Sequence, residues 1–181
     1  MNVETLYAIG RDHEYCEVFS MENWIELDSK RYRIVWDKFY NDLKFNPSGV
    51  RENLRTFTLP SPFKVFDITG LYGTNFEIQY KELEESIIKA FLDCTAETEY
   101  IYALDWQHTS YLFNPHLESR LNEWGEWPIT LYPNGDYYLF LNQSMSWGYL
   151  GHPWEKTISI FGEEFLKAIV RHKPKLFDKE L

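Results

Sequence analysis

Cysteine is nearly absent: of 181 residues only Cys16 and Cys94 carry thiols, and neither sits in a CxxC or zinc-ligand spacing. That argues against a disulfide framework or a structural zinc knot and fits a reducing compartment. Long apolar runs are missing too. No stretch approaches the roughly 20 residues that a bilayer-spanning helix needs, and the opening Met-Asn-Val-Glu lacks the basic start of a secretory signal, so the expected location is cytoplasmic. Positive charge is in deficit, with 18 Lys and Arg against 28 Asp and Glu, a formal net charge of -10. Such a surface repels phosphate backbones and anionic lipid, so neither nucleic acid nor a membrane is an expected partner; the acidity serves solubility or suits a basic protein partner. No GxSxG elbow, HExxH helix or glycine-rich phosphate loop is present, and neither cysteine has flanks that would lower its pKa. No cofactor is expected.

What the chain has in quantity is aromatic rings: 7 Trp, 13 Tyr and 13 Phe make 18% of it. Rings fill cores first, and they also line pockets and anchor interfaces. From Asp28 or Ser29, either of which can cap a helix, Ile34, Val35, Trp36, Phe39, Tyr40 and Leu43 recur at three- and four-residue spacing up to Asn46-Pro47. A strand is expected around Val65 to Ile68. A second helix is expected from Asn75 through Thr95, with Leu83, Ile87 and Phe91 on its apolar face. The period then changes. EYIYALDW, HTSYLFNP, WPITLYP, DYYLFLN and EKTISIFG read as strands, and Asn134-Gly135 is expected at the tip of a hairpin joining a strand that ends near Tyr132 to one that starts at Asp136. Residues from Glu163 to Arg171 form a closing helix.

This order predicts an α+β fold, an antiparallel sheet with helices packed mainly on one face, as a single domain over residues 28–172. Residues 1–27 are expected to form an N-terminal arm, whose ETLYAIGRDHEYCEVF reads as a strand pair or as irregular chain, and 173–181 a charged tail. Trp36, Phe39, Leu83, Ile87, Trp106, Phe140, Ile158 and Ile160 are expected to be buried.

Polar groups of chemical interest gather in DWQH (105–108) and GHPWE (151–155), each at an expected strand end. Were the two ends to meet, Asp105, His108, His152 and Glu155 would supply acid/base or ligand groups, walled by Trp106, Tyr111, Trp147 and Trp154. Strand alternation would send Asp105 and His108 to opposite faces, so they are not expected to pair with each other. With only two plausible imidazoles, no metal ion is expected. His152 reads first as scaffold, bridging backbone in a turn that Gly148 and Gly151 relax, Pro153 stiffens and Trp154 plugs. Asp136 reads as a turn residue, and His13, His116 and His172 as solvated.

The ordered segments VWDKFYNDLKFNPS (35–48), FDIT (66–69), ALDWQHTSYLFNP (103–115), WPITLYPNGDYYLFL (127–141) and GYLGHPWEKTISIFG (148–162) resemble the bacterial domain-of-unknown-function 2716 family, from about Ile34 to Phe165. The resemblance implies a small stand-alone bacterial protein and transfers no catalytic residues. Two functions fit the residues. One is an acidic binding module of immunity or inhibitor type that recognises another protein. The alternative is an enzyme or small-ligand-binding protein with its pocket between the DWQH and GHPWE segments.

Overall fold

Asp28 starts the first helix. Its Oδ1 accepts from the backbone N–H groups of Lys30 and Arg31, satisfying two donors that the first turn leaves open. The computed structural model describes residues 22–47, 57–118 and 126–181. In chain order these form β1 (Trp24–Glu26), α1 (Ser29–Asp42), β2 (Phe63–Asp67), a 3-10 turn (Thr69–Tyr72), α2 (Phe76–Cys94), β3 (Ile101–Asp105), β4 (Tyr111–Phe113), β5 (Tyr138–Leu141), β6 (Gly148–His152), β7 (Thr157–Phe161), α3 (Glu163–Arg171) and a second 3-10 turn (Lys175–Asp178). The strands make one antiparallel sheet in the order β1-β4-β3-β5-β6-β7-β2. The expected α+β class holds.

Side chains alternate across the sheet, so each strand serves two cores. Ile101, Ala103, Phe140, Tyr149, Ile158 and Ile160 face α2 and α3, where they meet Leu83, Ile87, Phe91 and Phe165. Leu104, Leu139, Leu141, Leu150 and Phe161 face the other way, toward Val35, Trp36 and Phe39 of α1. Two helices thus cover one face and a single helix the other. Among the described residues no helix is long and apolar enough to cross a membrane.

Four local readings change. WPITLYP is alternately buried, with Trp127, Ile129 and Leu131 inward, but it bends at 128–129 and again at 131–132 and is no strand. Pro128 and Pro133 have no N–H to give a ladder, and the segment's other polar groups go to side chains: the Leu131 and Tyr132 N–H groups to Tyr80 Oη and Thr130 Oγ1, the Leu131 carbonyl to the Tyr149 hydroxyl. The Asn134-Gly135 hairpin is therefore absent. Gly135 does take positive φ (144°), but β5 pairs with β3 and β6 instead. GYLGH, not expected as a strand, is a wholly buried inner strand, β6, and the expected Gly-His-Pro-Trp turn begins only after His152. Gly148 is there for lack of room rather than for flexibility, since a Cβ would collide with Leu141 and Phe161.

The chain ends also differ from expectation. β1 brings residues of the supposed arm into the sheet, while the first segment, ETLYAIGRDHEYCEVF, and His13 lie outside the described residues. The supposed tail is structural: Phe177 is fully buried and stacks on Phe66 with ring centroids 4.3 Å apart. Beyond it, Asp67 N–H donates to the Lys179 carbonyl and Leu181 N–H to that of Val65, so the C-terminus covers part of the β2 edge.

Candidate functional site

Asp105 is the last residue of β3, and the chain turns immediately after it. Gln107 adopts a left-handed φ of 66°, and His108 N–H closes the turn on the Asp105 carbonyl at 3.2 Å. Alternation stops where the strand stops, so the imidazole folds back over its own strand end. His108 Nδ1 lies 3.1 Å from Asp105 Oδ1 and 3.3 Å from Asp136 Oδ2. Asp136 is brought in because β5 pairs with β3, with Tyr138 opposite Asp105. Its other oxygen accepts from Tyr137 N–H at 2.8 Å.

The two carboxylates are largely covered, at 18% and 19% side-chain exposure, whereas the imidazole is 64% exposed. Burial pushes the Asp105 carboxyl up to about 6 even though His108 pulls the other way, and burial raises Asp136 too. The bond to Asp105 in turn raises His108. The three groups hold protons that each would lose sooner in water. Beside them, between the start of α1 and the 107–110 turn, opens a cleft of about 750 Å³ lined by Tyr32, Trp36, His108 and Ser110 among others.

At the same end of the sheet His152 closes β6. It is 6% exposed, and its Nδ1 accepts from Glu155 N–H at 3.1 Å. Glu155 Oε1 lies 3.8 Å from Nε2, which would favour the imidazolium, but burial dominates and lowers the imidazole to about 4. The ring packs edge-on against Tyr137, with centroids 5.0 Å apart.

Residues 26–166 match the family described as "Protein of unknown function (DUF2716)". The chain belongs to this family. It is 39% identical over 162 residues to "Uncharacterized protein YxiI" of Bacillus subtilis (strain 168), a match covering 87% of this chain and 98% of that relative. No solved structure matches the chain.

In this family member the four polar residues singled out in DWQH and GHPWE make two pairs, Asp105 with His108 and His152 with Glu155, rather than one site. Tyr137, fully buried, fills the space between: Trp106 meets it edge-on at 5.7 Å and Trp154 stacks on it at 5.5 Å. Trp154 is 36% exposed, so it caps the ring cluster rather than plugging the core. Trp106 is half-buried, not buried, because its Nε1 reaches out to donate to Tyr40 Oη at 3.0 Å. Trp147 lies at the opposite end of β6, buried and stacked on Phe165 at 4.7 Å. Tyr111 packs edge-on against Trp24 on the α2 side. Neither walls a pocket with His108 or His152.

His116 bonds Thr95, and His172 pairs with Asp93 at 3.0 Å, so both are engaged rather than merely solvated. Cys94 is buried and its thiol is pushed up to about 12, which suits a core residue and not a nucleophile. The member of this cluster that the sequence reading assigned to a turn is Asp136. Its signal was its position beside an expected strand, but only the β3–β5 pairing shows which strand end it meets.

Proposed function

We propose that the chain is a small acidic cytoplasmic binding protein of immunity or inhibitor type, which docks a basic protein on the sheet end described above. The observation that carries the reading is the ring platform there. Trp154 and Tyr40 are 36% and 39% exposed; Trp154 stacks on the buried Tyr137, and the Tyr40 hydroxyl accepts from Trp106 Nε1 while its ring packs against Phe45. Large, prearranged rings of this kind supply the anchors of protein interfaces at little entropic cost. Around them stand Asp105, Asp136 and Glu155, each raised by burial, so an approaching Lys or Arg gains by holding them ionised. The net charge of -10 steers such a partner in.

The test is affinity capture from a bacterium that carries a family member, run in parallel with Trp154→Ala and Glu155→Gln. The expected result is a basic protein retained by the parent and lost from both variants, with the variants still folded by circular dichroism. Identical retention by all three proteins would refute the docking surface. A second reading, an enzyme or small-ligand-binding protein, is favoured by the Asp105-held imidazole at the mouth of the 750 Å³ cleft. In that reading the ligand enters the cleft on the α1 side of the 105–108 turn, whose lining includes Tyr32, Trp36 and His108, and not a pocket between DWQH and GHPWE.

A further inference from the structure

We propose that Asp105, His108 and Asp136 form a binding site for one divalent metal ion of the manganese(II) type. One donor atom from each of the three lies within 4.8 Å of the others, and His108 Nδ1 is 3.1 Å from Asp105 Oδ1 and 3.3 Å from Asp136 Oδ2. An ion with bonds of about 2.1 Å holds adjacent ligands roughly 3 Å apart, so it fits among these atoms once the shared proton leaves. The mounting is firm, because Asp105 ends β3 and Asp136 stands two residues before β5, with the Trp106 N–H bonded to the Tyr137 carbonyl between the two strand ends.

The charge balance points the same way independently. Of the other described aspartates, Asp28, Asp42, Asp67, Asp93 and Asp178 each face a lysine or arginine, and Asp37, which does not, is exposed to solvent. Among the described residues Asp105 and Asp136 have only His108, whose ring is 64% exposed. Two covered carboxylates set close together lack a permanent cation, and a dication supplies one. The donor set is one nitrogen and two oxygens with no thiolate, which suits manganese(II) or magnesium better than a thiolate zinc centre. His108 also lines the cleft, which leaves room for water or a ligand at the remaining coordination positions. The expectation of no metal counted imidazoles and missed Asp136.

The inference goes beyond the partner-binding reading and stands without it. A bound dication leaves the chain strongly acidic, so a basic partner is still attracted. The test uses manganese(II) alone as the probe on the full chain, stripped with a chelator and dialysed, with bound ion read from loss of the free-ion electron paramagnetic resonance signal. One saturable ion per chain is expected, with at least tenfold weaker binding in His108→Gln and Asp136→Asn and unchanged binding in Asp178→Asn. His108 is mostly exposed, so H108Q keeps the test valid if D136N fails to fold. No saturable uptake at millimolar manganese, or equal uptake by the parent and H108Q, would overturn the assignment.

Discussion

Replacing His152 by Asn tests whether burial keeps this imidazole neutral. The Asn Oδ1 can take over the place of Nδ1 as acceptor for Glu155 N–H while removing the titration. In the folded parent the imidazole is held at about 4 against an ordinary 6.5. The unfolded chain therefore takes up a proton that the folded chain refuses, so stability is complete above pH 6.5 and falls as pH drops toward 4. The difference corresponds to a loss of about 3 kcal/mol across that window. Asp105, Asp136, Glu84 and Glu155 are raised and act in the opposite sense, gaining stability as pH falls. They are present in both proteins, so they largely cancel in the difference. Asp28, Asp67 and Asp93 are lowered, and their contributions fade only below the ordinary value of 3.8, outside the window. At pH 7 the variant should be less stable by about 1 to 2 kcal/mol through poorer packing against Tyr137. The two stability curves should then cross at roughly pH 5 to 6. Urea unfolding followed by tryptophan fluorescence at half-unit pH steps, with chelator present, reads this directly. Parallel curves between pH 6.5 and 4 would show that His152 is not held neutral by burial and would refute the reasoning.

Two further substitutions probe the frame that carries the site. Gly148→Ala drives a methyl into Leu141 and Phe161 and should cost about 1 to 3 kcal/mol in urea unfolding, whereas a neutral outcome would show slack between β5, β6 and β7. Phe177→Ala removes the ring that pins the C-terminal segment to Phe66 and should cost about 3 to 5 kcal/mol. Faster hydrogen exchange at the Asp67 amide, whose acceptor is the Lys179 carbonyl, should accompany it, and unchanged exchange there would mean that the segment is held by other contacts.

The helices were legible because each has a local cause. Asp28 caps α1, and Val35, Trp36 and Phe39 recur at helical spacing because one stripe of that helix is buried. In α2 the buried Leu83, Ile87 and Phe91 follow the same rule, and the structure places the helix within one residue of the expected ends. Period-2 alternation was equally visible in WPITLYP, yet it reports a chain that lays every second side chain on a core, here with bends, and says nothing of ladder bonds. Those depend on where each N–H and C=O finds its partner, and here the partners are Tyr80, Thr130 and Tyr149.

The site divides along the same line. Sequence by itself determined the donor-bearing stretch at Asp105 and His108, the acidity, the scarcity of thiols and the aromatic excess, since these are properties of residue identity and near neighbours. Tertiary structure alone decided that the chain turns after Asp105, so that His108 meets it, and that Asp136 completes the group. Tertiary structure also decided that Trp147 belongs to the core against Phe165 while Trp154 sits on Tyr137 at the surface. The physical reason is sequence separation. Asp105 and Asp136 are joined only by the antiparallel pairing of β3 with β5, and that register is fixed by which faces of all seven strands must be buried together.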